Sequence, residues 1–312
     1  MEPFGPIGKD LATVEAALRA EIDADPEEVA TPMRDLFAAG GKRLRPALVL
    51  LSARCGSYDL DQLIPAAMAV ELTHAATLVH DDVIDRSTVR RGRPTVAASL
   101  GDEPAIVIGD FYFAKAYEHA ARTNSTEAVA ILARAVMEIC AGEVRQQAIR
   151  YLYSTGVDEY MRRIEAKTAT LLAACCDIGA LLANLMPPQR EALHTYGRLL
   201  GLAFQIADDV LDYLGSAGEI GKPIGQDIAE GFATLPFMLA TLKTRLHDGR
   251  KLTAEEAREA VQLVRESGAP QRALERARDY AARARAQLDV IDKGEARNSL
   301  AALTDYVVTR KL

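Results

Sequence analysis

An all-α fold is the first expectation for this 312-residue chain, and three observations lead to it. Apolar residues recur at three- and four-residue spacing from about Leu11 onward, the period of an amphipathic helix, and no convincing strand-type alternation interrupts them. The composition is rich in Ala, Leu, Arg and Glu, with 5% aromatics and no Trp, a vocabulary that favours helix over sheet. The breaks between apolar runs fall at Gly, Pro or Asn/Ser/Thr clusters. With 49% hydrophobic residues the chain can fill a sizeable core, and no linker composition separates its halves. It therefore reads as a single-domain bundle of about 12 helices.

The elements follow in order. Met1 to Gly8 is short and carries Pro and Gly, so the first helices are placed at 10–23 and 27–39. Gly40-Gly41 breaks the chain before a helix at 43–55, and a long helix at 60–86 ends in Asp81-Asp82-Val83-Ile84-Asp85. Residues 87–103, with Gly, Pro and cations, read as a loop. Helices at 104–122, 126–152 and 158–184 come next, and adjacent Cys175-Cys176 sits in the apolar run of the last, where small hydrophobes belong. The helix at 188–214 carries Asp208-Asp209-Val210-Leu211-Asp212 at its end, and 216–234 is a second Gly-, Pro- and cation-bearing loop. Helices at 234–247, 253–267, 270–292 and 295–309 complete the chain, the second of them opened by the capping box Thr253-Ala254-Glu255-Glu256.

The net charge of −7 and pI near 5.4 argue against a general nucleic-acid binder. Cys55, Cys140, Cys175 and Cys176 show no metal-type spacing and read as reduced thiols. No N-terminal signal and no uncharged apolar run of membrane-spanning length are evident, which places the protein in the cytoplasm.

The two Asp clusters carry the chemistry. Positions i and i+4 of a helix share a face, so Asp81 and Asp85 project together with Asp82 alongside, and Asp208, Asp209 and Asp212 repeat the arrangement. Like charges so placed destabilise a helix by roughly 0.2–0.5 kcal/mol per pair, so a cation should offset them. Carboxylate oxygens are hard ligands, and no His or Cys stands with them at ligand spacing, which favours Mg2+ or Mn2+ over zinc. Mg2+ in turn implies a phosphorylated substrate, whose oxygens complete its octahedron. The cations fit that substrate: Lys42 and Arg45 fall at i,i+3 in Gly40-Gly41-Lys42-Arg43-Leu44-Arg45-Pro46, and Arg90-Arg91-Gly92 follows the first cluster. Arg forks match phosphate oxygens bidentately, and with the Asp clusters these groups suggest two anionic substrates.

Gly41-Lys42-Arg43-Leu44-Arg45-Pro46, His80-Asp81-Asp82-Val83-Ile84-Asp85, Arg90-Arg91-Gly92, Lys167-Thr168, Phe204-Gln205 through Asp212, and Gly221-Lys222-Pro223 resemble, in order and spacing, the motifs of trans-isoprenyl diphosphate synthases. The resemblance covers nearly the whole chain and implies an all-helical isoprenoid-synthase fold around a central cavity, commonly a homodimer. It implies that Asp81, Asp82, Asp85, Asp208, Asp209 and Asp212 bind three Mg2+ ions, for which Mn2+ can substitute, and that these clamp an allylic diphosphate. Arg90, Lys167 and Lys222 would contact that diphosphate, while Lys42, Arg45, His74 and Arg91 would bind isopentenyl diphosphate. Lys167, Thr168 and Gln205 would face the allylic carbocation formed when diphosphate leaves. The released diphosphate would take the proton, so no side chain is assigned as general base.

One departure stands out. Family members often carry Glu-Gly-Lys before Thr-Leu-Pro, whereas this chain reads Glu230-Gly231-Phe232-Ala233-Thr234-Leu235-Pro236. The expectation is that Lys222 and Arg90 suffice without the lysine. For product length, the residues upstream of Asp81 should line the channel: Ala76, Thr77 and Thr73, with Ala69 deeper still at roughly 5.4 Å per turn, are all small. In the family, bulky aromatics here resemble a floor that stops growth at C15 or C20, and this chain also lacks the two-residue insertion in the first Asp motif found in some bacterial C20 enzymes. A long-chain product of about C30–C50 is therefore expected, with a deeper floor at Phe113, Leu132 or Met137 and transient membrane contact for product release. Geranylgeranyl diphosphate synthase is the runner-up. A terpene cyclase fits less well, since its second metal motif differs, as does a regulatory subunit, which generally has degraded Asp motifs.

Overall fold

The computed structural model describes residues 4–41, 43–214, 225–240 and 248–309. It is almost wholly helical, as expected. The elements are α1 (Gly8–Asp23), α2 (Glu27–Ala38), α3 (Leu44–Ala53), α4 (Leu60–Ile84), β1 (Val89–Arg90), β2 (Arg93–Pro94), α5 (Val96–Leu100), α6 (Asp102–Arg122) and α7 (Thr126–Ala148). They continue with α8 (Val157–Ile164), a π-helical turn (Glu165–Ala169), α9 (Thr170–Leu182), α10 (Pro187–Leu214), α11 (Gln226–Glu230), α12 (Leu235–Leu239), α13 (Ala254–Glu266), α14 (Ala269–Gln287) and α15 (Glu295–Thr309). Lys42 and Lys222 lie outside the described residues, as does the second half, 241–247, of the helix expected at 234–247.

Backbone contacts group the chain into two compact units, each discontinuous in sequence: 1–136, 174–193 and 291–299 in the first, and 137–173, 194–290 and 300–312 in the second. In the first unit α4 is the central element, packed along α6 and also touching α1, α3 and α5. It starts where Asp59 accepts a hydrogen bond from the Asp61 amide, an N-cap that satisfies a helix-end donor. By length and composition α4 could cross a membrane, but 67% of its most apolar window is buried against its neighbours, and a core helix meets the same test. In the second unit α12 and α13 pack on α14, and the capping box at Thr253 forms as expected, with both reciprocal bonds to Glu256.

Three local features differ from the sequence reading. Residues 87–103 hold a two-stranded hairpin and a short helix rather than a plain loop. The connection is Arg91-Gly92, both with positive φ (51° and 76°), the geometry that closes a two-residue hairpin tightly. Strands of two residues are too short to show alternation, and Arg is not a residue that announces such a turn. The helix expected at 126–152 stops at Ala148, because Tyr151 turns left-handed (φ 66°) and donates its amide to the Gly231 carbonyl at 2.8 Å. The helix expected at 158–184 is interrupted by the π turn at 165–169, a widening common at functional sites.

Close backbone packing decides several positions. A Cβ at Gly179 would lie 2.2 Å from the Val49 carbonyl oxygen, which belongs to the main chain of α3 and cannot rotate away. Gly179→Ala should destabilise the fold by about 1–3 kcal/mol through overpacking, seen as a lowered midpoint in urea denaturation.

Candidate active site

In the first unit, the end of α4 separates the three aspartates by role. Asp82 is 2% exposed and is gripped by the Arg90 guanidinium, with Nε 3.0 and 3.1 Å from its two oxygens and Nη2 2.9 Å from Oδ1. A buried carboxylate held in a fork of this kind is committed to its partner. Asp81 and Asp85 are half-buried and share the other face at i,i+4. Among the described residues no three His, Cys, Asp or Glu side chains converge to enclose a cation. The donor chemistry of an aspartate pair nevertheless fits Mg2+, which takes one or two carboxylates and fills its remaining positions with water and substrate phosphate.

A second feature of this unit is a cationic cluster. Arg43, at the N-cap of α3, is in the left-handed region (φ 49°), a conformation that is strained for a residue with a side chain. It is held there by Glu71 (3.0 Å, 5% exposed) and Glu15 (3.0 Å), with Phe37 under its guanidinium. A Cβ on Gly41 would stand 3.0 Å from Arg43 Nη1 and 3.3 Å from Arg91 Nη1, so the hairpin tip and the Gly40-Gly41 segment meet at these two guanidinium groups. Arg45 Nε is buried with no hydrogen-bond partner among the described residues, and burial depresses the Arg45 pKa. Burial, followed by the charges of Arg45, Arg91, Arg90 and Arg43, holds the His74 pKa well below its ordinary value, so His74 is neutral. An orphaned donor inside a group of four arginines calls for an anion.

The second unit carries the other motif. Gly142 of α7 and Gly201 of α10 let the π turn approach closely, since a Cβ on either would fall 2.6 Å from Ala166 or 2.5 Å from Ala169. The turn presents Lys167 and Thr168. Lys167 Nζ pairs with Glu143 at 2.9 Å; burial alone would raise the Glu143 pKa, but Lys167 and the amides of Gln147 and Gln146 outweigh it and lower it. The Thr168 hydroxyl donates to Gln205 Oε1 (2.7 Å), Gln205 Nε2 donates to Asp209 Oδ1 (2.8 Å), and the Tyr160 hydroxyl donates to Asp209 Oδ2 (2.7 Å). Asp209 is 4% exposed, and its pKa is raised by burial first and by Asp227 second. Asp212 accepts the amides of Gln226 and Asp227, both at 3.2 Å, and so anchors α11.

The geometry thus joins residues that the sequence reading listed apart: Arg90 with Asp82, Arg45 with His74 and Arg91, and Thr168 with Gln205 and Asp209. It also adds four residues that reading missed. Glu143, Tyr160 and Asp227 engage or perturb the predicted site residues, and Glu71 anchors Arg43. Tyr160 precedes Lys167 by seven positions, two helical turns on the same face, and that spacing was the available signal. Ala76 and Thr73 are fully buried in α4, and the Thr77 hydroxyl folds back onto the His74 carbonyl at 2.7 Å.

The depressed His74 pKa has a thermodynamic consequence. Because the folded state resists protonating His74, the unfolded chain binds the proton first, and unfolding free energy should decline as pH falls below 6.5. His74→Gln should flatten that slope by up to about one proton, measured by urea denaturation at a series of pH values.

Comparison with known proteins identifies the family. The polyprenyl synthetase family pattern matches residues 26–266. Heptaprenyl diphosphate synthase component 2 from Geobacillus stearothermophilus is 37% identical over 309 residues, 97% of each chain. The crystal structure of a polyprenyl synthase from Caulobacter crescentus, complexed with calcium and isoprenyl diphosphate, superposes with a TM-score of 0.93 at 38% identity, covering 100% of this chain and 98% of that one. That of a decaprenyl diphosphate synthase from Rhodobacter capsulatus gives 0.91 at 34% identity, covering 99% and 98%. With motifs, helical fold and relatives in accord from end to end, the chain belongs to the polyprenyl synthetase family and is a prenyltransferase.

Proposed function

We propose that this prenyltransferase condenses isopentenyl diphosphate head to tail with an allylic diphosphate, farnesyl or geranylgeranyl, to build a long-chain all-trans polyprenyl diphosphate of about C30–C50. The observation that carries the reading is the cluster of Arg43, Arg45, Arg90 and Arg91 around neutral His74, in the same unit as the acidic end of α4. A metal-type acidic site and a separate metal-free anion site are what two different diphosphates require.

In this reading Asp81 and Asp85 are the metal ligands of the first motif, and Asp82 holds Arg90 in place for the allylic phosphates. Asp208 is the corresponding ligand of the second, with Asp209 and Asp212 fixing its surroundings. When bound, Mg2+ would supply Lewis-acid neutralisation of the charge on the diphosphate leaving group. Lys167 and Lys222 contact the same diphosphate, and Lys42, Arg45, His74 and Arg91 hold isopentenyl diphosphate. Thr168, its proton committed to Gln205, keeps oxygen lone pairs for the developing allylic cation. The buried apolar lining excludes water that would quench that cation. The chain acts as a single synthase domain, 1–312, in the cytoplasm, where its four free cysteines stay reduced, and touches membrane only transiently to release product.

The long-chain assignment rests on Ala76, Thr77 and Thr73 and on relatives named for heptaprenyl and decaprenyl products. Two of the expected floors fit poorly. Phe113 packs on His80 with ring centroids 5.6 Å apart, near the acidic end rather than deeper along α4, and Met137 is 63% exposed. Leu132, fully buried, remains as the floor. A homodimer is the assembly proposed. A second reading, a catalytic component that works with a separate partner chain, is favoured by the name "component 2" of the Geobacillus relative.

Incubating the purified chain alone with Mg2+, isopentenyl diphosphate and farnesyl diphosphate, with chain-length analysis of the products, tests these readings together. Products of C30 or longer are expected; a stop at C20 would make it a geranylgeranyl diphosphate synthase, and activity only on adding a partner would favour the two-component form. Ala76→Tyr should shorten the product by at least one C5 unit, and an unchanged length would remove Ala76 from the channel wall. Asp81→Asn should lower kcat/KM by about 100-fold or more.

A further inference from the structure

Phe232, where the family pattern often carries lysine, lies near two guanidinium groups. Arg150 Cζ is 5.1 Å from its ring centroid and Arg163 Cζ 5.8 Å. The two arginines are differently committed. Arg150 spends its donors on the Glu230 carbonyl (2.8 Å) and on Gln147 Oε1 (3.5 Å), with Tyr151 beneath it. Arg163 is only 8% exposed and hydrogen-bonds the Ala233 carbonyl at 3.2 Å; among the described residues no carboxylate comes within 4.0 Å of it. The ring of Tyr160, whose hydroxyl holds Asp209, is also within reach, 5.3 Å away.

A guanidinium taken out of water without a contacting anion is strongly disfavoured unless negative charge lies near enough to act through space. Asp209 is linked to Arg163 through Tyr160, whose ring lies against the guanidinium and whose hydroxyl donates to Asp209 Oδ2. Both rings lie within cation–π distance of the guanidinium, a contact that is strongest in desolvated surroundings.

We propose that Arg163 is a positioning residue of the second acidic motif: packed near the rings of Tyr160 and Phe232, it provides from α8 the positive charge that a lysine at 232 provides in the family pattern, and so holds the Asp209–Gln205–Thr168 chain in register for the allylic diphosphate. Phe232 then marks a relocated charge, with its ring serving as the platform for the new cation. The inference rests on the proposed function for the identity of the ligand.

The test is charge relocation. The readouts are the KM for farnesyl diphosphate and for isopentenyl diphosphate, together with calorimetric binding of inorganic diphosphate in Mg2+. Arg163→Met should raise the allylic KM and weaken diphosphate binding by about 10- to 100-fold while shifting the isopentenyl KM by less than about twofold. The double variant Arg163→Met, Phe232→Lys should recover most of the loss, and Arg163→Lys should stay within about fivefold of the parent. Phe232→Lys alone should bring no gain, because it crowds a third cation against two. Arg162→Met, at an exposed neighbouring position, should change neither quantity.

A folded Arg163→Met variant with unchanged diphosphate affinity would overturn the proposal, as would a double variant no better than the single one. If Arg163→Met does not fold, recovery of diphosphate binding in the double variant still supports relocation, and its failure there counts against it. A parent chain that binds Mg2+–diphosphate but condenses nothing would sink the functional reading alone, with the calorimetric comparison still deciding Arg163.

Discussion

Carboxylates in surroundings poor in water must be given hydrogen-bond donors, and the candidate site is organised around that constraint. A buried carboxylate left without donors is strongly disfavoured. In each motif the middle aspartate is given internal donors: Asp82 takes the Arg90 fork, and Asp209 takes the Tyr160 hydroxyl and the Gln205 amide. These bonds do more than satisfy charge. Through Asp82 the end of α4 is tied to the hairpin that carries Arg91, and through Asp209 helix α10 is tied to α8 and the π turn that carry Tyr160, Lys167 and Thr168.

Small residues make those ties possible. Gly142 and Gly201 admit the π turn, Gly109 leaves room for the His80 ring, and Gly179 lets its helix lie against the backbone of α3. Core packing of this density leaves little tolerance for added atoms. The strained arginines show the same economy. Arg43 and Arg91 sit at positive φ, and their guanidinium groups both converge beside Gly41. Strain at positions of this kind is held by surrounding contacts, here the Glu15 and Glu71 carboxylates on Arg43 and the hairpin register around Arg91.

Much of this was legible in the residues. The helical period is local, so the existence of most helices, the capping box at Thr253 and the shared face of Asp81 and Asp85 follow from spacing alone. The exceptions have physical causes that spacing does not encode. The hairpin at 89–94 is too short for alternation to register, the end of α7 is set by a hydrogen bond from Tyr151 to a residue 80 positions away, and the π turn depends on glycines in two other helices. The departure at Phe232 was visible too, but its meaning was not, because Arg150 and Arg163 are remote from it in sequence.

By itself the sequence determined the fold class, the family motifs and the residue types from which a Mg2+–diphosphate chemistry is proposed, because periodicity and ligand hardness are properties of residues and their near neighbours. Tertiary structure decided how equivalent residues divide their work. Three aspartates in a row of five are alike until one of them meets Arg90, and an arginine in a helix is an ordinary cation until two aromatic rings and a backbone carbonyl meet it. Such differences arise from burial and from partners distant along the chain, which only the folded protein brings together.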